Sequence, residues 1–340
     1  MEITELRNET VEWDAFVRSN ADGSPFHLIA WKRAVEESFG HKSRYLLARR
    51  AGAIEGVLPL FEVRGFPRGR SLVSVPYAVY GGICASTDSA RHALLNAASD
   101  LAQRRGVSYL ELRHRRDQGL GLQPKELYVT FSKEISSNEE ENLEAIPRKQ
   151  RRMVRQGMKH GLRSEVSTDH LDRFYEIYCE NLRRLGSPVF PRSLFRAIVA
   201  AFDKECQLLT VWDGNRMIAG VLTLFYEDQA LPYYGAALYE ARELAPNDFM
   251  YWELMRYAAA AGYRIFDFGR SRVGTGSHDF KRHWGFEPTP LPYQYVLIRS
   301  KSMPNLSPSN PKFQTAVRLW QRMPLALTKL IGPRVVRYLP

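Results

Sequence analysis

The chain has 340 residues, of which 44% are hydrophobic and 25% charged. These proportions suit a folded protein of two ordinary domains and exclude a disordered or fibrous chain. An excess of 48 Lys and Arg over 37 Asp and Glu leaves a net charge of +11, which favours nucleic acid, phosphorylated substrates or an anionic membrane surface without choosing among them.

The first residues, "MEITELRNETVEW", are charged from the second position and contain no apolar core of a signal peptide. No uninterrupted apolar run of about 18 residues marks a membrane span. Cys84, Cys179 and Cys206 lie far apart with no metal-ligand spacing, so reduced, buried thiols in a cytoplasmic protein are expected.

In chain order, a helical segment is expected around Pro25–Phe39. "YLLARRAGAIEGVLPLF" (Tyr45–Phe61) then reads as two strands about an Ala-Gly-Ala turn. A strand "VPYAVYGG" follows, then a helix stopped by Gly106 and the strand "VSYLELR". The acidic stretch Ser136–Pro147 reads as a linker turning into a helix, and "RKQRRMVRQGMKHGL" comes next.

The second half repeats the order. Helical segments over Leu171–Phe202 precede "QLLTVWDGNRMIAGVLTLF" (Gln207–Phe225), a hairpin about Asp213-Gly214-Asn215. Then come the strand "LPYYGAA", a helix expected to start at Asn247 as N-cap and to stop at Gly262, and the strand "YRIFDFGR". Both halves carry Gly-Val-Leu-x-Leu-Phe, at Gly56–Phe61 and Gly220–Phe225. The shared order predicts an α+β unit of about 150 residues, duplicated. The expected division is 1–140, 141–300, and a tail over 301–340. That tail is a Pro/Ser/Asn-rich loop followed by a basic amphipathic segment, with Phe313, Val317 and Trp320 on one face and a break at Pro324. It docks on its own domain or lies on a membrane, making peripheral contact through 311–331.

Several side-chain groups carry chemistry. On a helix from Arg148 to His160, the residues Arg148, Arg152, Arg155 and Lys159 share one face, with no acid inside the segment. That face is either solvated, paired with the acidic run upstream, or a wall for phosphates, which arginine's fork suits. "SRVGTG" (Ser271–Gly276) has the glycines of a phosphate loop. However, only about ten residues separate it from Gly285-Phe286, too few for the long helix that a CoA loop opens. Asp267, Arg270, Lys281, His283 and Trp284 cluster just beyond a strand end, where a lysine supplies fixed charge to an oxyanion or phosphate. Tyr233 and Tyr234 alternate at the end of a neighbouring strand, one for the core and one for a cleft. His278 and His283 are five apart with no third partner, so no metal site is expected. No nucleophile elbow or Cys/His signature appears, which argues against a covalent intermediate.

The stretches "AWKRAVEESFGH", "GVLPLF", "PYAVYGGI", "IPRKQRRMVRQGMKHGL", "NDFMYWELMRYAAAAGYRIFDFGRS", "HDFKRHWGFEP" and "LWQRMPLALTKLIGP" resemble the Fem family of non-ribosomal aminoacyltransferases. The closest resemblance is to the FemAB-like proteins of exopolysaccharide and PEP-CTERM loci. It implies two tandem N-acetyltransferase-like (GNAT) domains, each a mixed, mostly antiparallel sheet flanked by helices. It also implies transfer of an acyl or aminoacyl group, without a metal or resident cofactor, to an amine of a cell-envelope or exopolysaccharide precursor. The donor is a co-substrate, aminoacyl-tRNA or acyl-CoA. The family's functional lysine in its Phe-Lys motif matches Lys281, and its basic entry helix matches Arg148–Lys159, with Arg152 and Arg155 as preferred phosphate contacts. Asp267 and Tyr234 are then candidate proton handlers, with Arg148, Arg270 and Trp284 on the substrate. The expected location is the cytoplasm or the inner face of the membrane. The chain lacks the long coiled-coil arm that several Fem enzymes insert. Alternatives are a non-catalytic RNA- or membrane-binding protein on the same scaffold and an acyl-CoA-dependent N-acetyltransferase.

Overall fold

The structure, a computed structural model, describes residues 1–65, 69–304 and 311–339, the side chains of 311–313 excepted. The chain divides into two compact units, Met1–Tyr128 with Pro290–Asn310 and Arg334–Pro340, and Val129–Thr289 with Pro311–Pro333.

The first unit begins with β1 (Glu2–Glu5), α1 (Thr10–Ser19), α2 (Ile29–Phe39), β2 (Lys42–Ser43) and β3 (Leu46–Arg50). It continues through β4 (Ala53–Leu58), β5 (Phe61–Arg64), β6 (Arg70–Val73), β7 (Cys84–Ala85), α3 (Asp88–Arg105), β8 (Tyr109–Arg113) and β9 (Pro124–Lys125). The second holds β10 (Tyr128–Glu134), α4 (Glu139–Ala145), α5 (Arg148–Lys159), β11 (Arg163–Val166), α6 (Leu171–Leu185) and α7 (Arg192–Phe202). After these come β12 (Cys206–Asp213), β13 (Arg216–Tyr226), β14 (Gln229–Ala237), α8 (Pro246–Ala260), β15 (Ile265–Asp267), β16 (Ser271–Arg272) and α9 (Gly276–His283). The remainder is β17 (Pro288–Pro290), β18 (Tyr293–Leu297), α10 (Pro311–Arg322) and α11 (Leu325–Val336).

The first unit has two sheets, β1-β3-β4-β7 and β2-β5-β6-β8-β18-β9, and the second has one, β11-β12-β13-β14-β15-β10-β16, with β17 on β10. Two pairs are parallel, β6 with β8 and β14 with β15. Those two parallel pairs mark the repeat, since each joins strands on either side of a long helix, with the short β7 also intervening in the first unit. The units are not simple consecutive stretches like those read from the sequence. β10 pairs with β15 of the second sheet, while β18 returns to pair with β8 of the first.

Each half of the repeat is built around a helix pressed on its hairpin. In the first, Leu94, Leu95 and Ala98 of α3 pack with Leu46, Ala48 and Leu58. The shared Gly-Val-Leu motif has a packing reason: a Cβ on Gly56 would lie 2.9 Å from Leu94 Cδ1, and one on Gly220 would lie 2.9 Å from Phe174 Cδ2. The helix stop at Gly106 is as expected, in the left-handed region at φ 59°. Asn247 is not the N-cap of α8; Ala245 takes that position with φ 55°, and Asn247 falls inside the first turn. Cys84, Cys179 and Cys206 are free and buried.

Part of the tail loop, residues 305–310, and the Phe313 side chain lie outside the described residues. The rest of the tail forms two helices separated near Pro324.

Candidate active site

The site begins with two strands that part. β14 has nine residues but pairs with β15 only at Gln229–Ile265 and Ala230–Phe266. On its other side the register with β13 shifts where Pro232, which has no N–H to offer, stands opposite Thr223. The shift leaves Tyr233 out of the pairing and breaks the alternation expected of Tyr233 and Tyr234. Past Ala230 the two strands are unpaired, and a cavity of about 360 Å³ opens at the end of β14.

Gly235 to Leu238 form one wall, and the first turns of α8 and α9 supply Pro246, Asn247, Gly276 and Ser277. Two helix N-termini therefore line one cavity, each an end where partial positive charge concentrates. Tyr251 and Phe280 add aromatic surface. Tyr251 rings stack edge-on to Phe268 at 4.9 Å and tilt against Phe280 at 5.6 Å. Among the described residues nothing accepts or donates a hydrogen bond at the Tyr251 hydroxyl, which stands 2.7 Å from where a Gly235 Cβ would be. Burial pushes its pKa up to about 12, with Asp248 adding to the rise, so the phenol keeps its proton and acts as a donor.

Lys281 also lines the cavity. It is buried, and its Nζ donates to the carbonyl oxygens of Phe268, Gly269 and Arg270 at 2.7, 3.0 and 3.1 Å. These bonds pin the segment leaving β15 to α9. Burial lowers its pKa to about 7, Asp267 opposing and Arg270 adding to the fall. The ammonium also sits 5.6 Å from the Phe131 ring centroid and 6.0 Å from that of Phe268.

Arg184 and Arg242 line the same cavity. Their guanidinium carbons lie 4.8 and 4.5 Å from the ring centroid of exposed Tyr239. Two cations on one exposed ring make a mouth suited to a phosphate or a flat ring bearing one.

Only Lys281 of the predicted residues lines this cavity. Asp267 is buried, accepts from the Gly269 N–H at 2.7 Å and bears on Lys281 by charge. Tyr234 belongs to the core, its ring packed against Tyr178, Phe190 and Phe195. Trp284 also belongs to the core, with no exposed surface, and donates through Nε1 to Asp248 Oδ1 at 3.0 Å. The same carboxylate oxygen accepts from Gln150 at 2.8 Å, so Asp248 ties α5, α8 and the end of α9 together. Arg270 is half-buried and gives its carbonyl to Lys281.

Arg148, Arg152, Arg155 and Lys159 form one exposed face of α5, opposite buried Gln150, Val154 and Gly157. Among the described residues no carboxylate pairs with them. The acidic run upstream does not neutralise them: Glu139 pairs with Arg256 at 2.9 Å and Glu141 accepts from Ser136 at 2.6 Å. Gly157 lets α5 lie close on α8, since a Cβ there would come 2.7 Å from that of Phe249.

The glycine loop before α9 opens a helix of eight residues, as its spacing foretold. The strand–loop–helix junction that opens a long helix is instead β14 to α8. It reads Arg242-Glu243-Leu244-Ala245-Pro246-Asn247, in which Arg242 to Leu244 close a 3-10 helix and Ala245 has positive φ. No glycine signals that loop in the sequence, and Tyr251, Arg184 and Arg242 carry no motif of their own.

Residues 145–282 match the family model of the acetyltransferase (GNAT) domain. The match takes in both α5 and Lys281. The solved structure of FemX superposes with a TM-score of 0.69 at 20% identity, covering 88% of this chain and 98% of that one. L-PGS from Bacillus licheniformis superposes at 0.55 with 14% identity, covering 94% and 99%. A tandem GNAT protein of the clavulanic acid biosynthesis pathway gives 0.55 at 11%, covering 89% and 99%. These are likenesses of fold, and with the family match they make this a tandem GNAT-like fold. No curated protein matches the chain.

Proposed function

We propose that the chain is an acyltransferase that passes an aminoacyl group to an amine of a cell-envelope or exopolysaccharide precursor. The reading rests on one observation: the GNAT-matching unit opens a cavity where β14 and β15 part, and a buried lysine lines it. Attack by an amine on an acyl carbon needs the two held together, charge to meet the developing oxyanion, and an exit for the amine proton. Protonated Lys281 brings positive charge and holds the β15 exit rigid. As the tetrahedral adduct collapses to the amide, the ester bond to the donor breaks; the Tyr251 hydroxyl gives its proton to the departing ribose oxygen and takes the one that the amine loses, so the donor leaves as a free hydroxyl. Tyr239 with Arg184 and Arg242 binds the phosphorylated end of a substrate at the mouth.

Two features favour aminoacyl-tRNA over acyl-CoA as donor. Pro246 stands in the first turn of α8, so the loop that would cradle a pyrophosphate lacks one N–H donor. The unpaired face of α5 offers a long polyanion four cations in a row. A FemAB-like, PEP-CTERM-type role in the cytoplasm, against the inner face of the membrane, follows from the same resemblance.

The purified protein is to be given radiolabelled aminoacyl-tRNA or acyl-CoA with amine-bearing saccharide and peptide acceptors. Label moving from aminoacyl-tRNA to an amine supports the reading. Transfer from acyl-CoA alone replaces the donor, and salt-sensitive RNA binding without transfer to any acceptor overturns the enzymatic reading.

A further inference from the structure

We infer that the outward face of α10 and α11 is a docking surface for an anionic lipid bilayer. The tail was expected to present Trp320 to a membrane or to its own domain. Trp320 is buried, and the inward side of the tail is well occupied. Lys329 pairs with Glu176 at 2.7 Å, Gln321 donates to the Arg184 carbonyl at 3.1 Å, and a Cβ on Gly332 would lie 2.8 Å from Val189 Cγ2.

The outward side is what needs explaining. Thr328 and Gly332 face inward, while Leu327, Leu330 and Ile331, at i, i+3 and i+4, face out with 45%, 58% and 36% of their surface exposed. On α10, Leu319 is 62% exposed between exposed Arg318 and Arg322. A helix already docked by its other face does not need leucines outside, and single scattered exposures are ordinary only when they do not line up. Here they form an apolar stripe.

Charge selects the occupant. From Pro288 to Pro340 the sequence contains no Asp or Glu, and Arg318, Arg322 and Arg334 stand exposed on α10 and α11. A protein partner with a matching apolar face does not require so one-sided a charge; a surface of phosphate headgroups over acyl chains does. No helix of the described residues is long and apolar enough to cross a membrane, so the stripe lies in the interface. α10 is attached to α6 beside Arg184, which lines the cavity, so docking holds the cavity at a set place near the headgroups. The inference stands apart from the acyl-transfer reading, because it needs no activity.

The test is sedimentation of the full chain with vesicles of phosphatidylcholine containing phosphatidylglycerol as about one third of the lipid, against phosphatidylcholine alone. The chain is expected to bind the anionic vesicles, to release in high salt, and to bind neutral ones poorly. The variant Leu327→Ser/Leu330→Ser/Ile331→Ser changes only exposed positions and is expected to bind at least about tenfold more weakly, with an unchanged circular dichroism spectrum. Arg318→Ala/Arg322→Ala is expected to weaken binding and flatten its salt dependence. Absence of binding to anionic vesicles, equal binding to neutral ones, or undiminished binding by the triple serine variant overturns the inference. So does a dimer in light scattering that the triple variant dissociates, which would make the stripe a self-association surface.

Discussion

The two copies of the repeat place a buried acid at the same strand position and then use it differently. Counting from Gly106 and Gly262, Glu111 in β8 corresponds to Asp267 in β15, and both are buried. In the first copy the next residue but one is Arg113, which bonds Glu111 at 2.7 Å and donates to the carbonyls of Val75 and Ala78. Its neighbour His114 fills the space beyond, with the ring 2.1 Å from where a Gly82 Cβ would be. In the second copy that position is Gly269, at φ 63°. Without a side chain there, the cation comes instead from α9 as Lys281, and it pins the strand exit beside an open cavity. At this strand end the first copy is filled by Arg113 and His114, and the second opens on the cavity. The divergence between the copies here lies in a few residues after one strand.

The sharpest way to break this comparison is to remove the cation from each copy. Lys281→Ala is expected to lower transfer by about a thousandfold and to destabilise the second unit by about 1–3 kcal/mol, since three carbonyls lose their donor. Arg113→Ala is expected to leave transfer by the remaining folded protein intact. It should cost about 3–5 kcal/mol of stability, because Glu111 is left buried and unpaired. Initial rates per folded molecule and denaturant melts check both. Equal losses of transfer in the two variants would remove the distinction between the copies. With the charge carried by a lysine whose pKa lies near 7, transfer that depends on the ammonium falls as pH rises above that value. Lys281→Arg should abolish this fall, because guanidinium keeps its proton.

A smaller effect is expected from Tyr251→Phe. It should slow transfer about 10- to 100-fold through kcat with little change in KM, and leave melting unchanged, as the hydroxyl has no partner among the described residues. Tyr234→Phe should be near neutral for transfer because that ring packs in the core. A reversed order would return the proton-handling role to Tyr234.

A further contrast between the units concerns acid. Burial pushes His27, His41 and His114 of the first unit down to about 4, the charges of Arg337 and Arg64 adding to the fall at His41. The unfolded chain takes up these protons near its ordinary value of 6.5, while the folded unit resists them until about 4. Stability is therefore fully present above pH 6.5 and is lost as pH falls towards 4. Calorimetry over that range should show a first-unit transition moving down ahead of the second, and His114→Gln should narrow the gap.

Much of this was legible in the sequence, because it depends on local chemistry. The hairpins about Ala51-Gly52 and Asp213-Gly214, the stop at Gly106, the amphipathic face of α5 and the break near Pro324 follow from turn preference, backbone freedom and helical period. So did the duplicated α+β unit, while the tandem GNAT-like fold was what the resemblance to the Fem family implied. Lys281 stood out because the second copy departs from the first there. What neighbours do to a side chain was settled only by tertiary structure. Trp284 read as a substrate contact until Asp248 claimed it, Trp320 was left between its own domain and a membrane until the fold buried it, and Tyr234 read as a cleft residue until a bulge beside Pro232 turned its strand. The cavity itself has no sequence signal. It exists because β14 and β15 pair at two positions and then separate, and a gap between elements 30 residues apart is a property of packing, where no single segment carries the information.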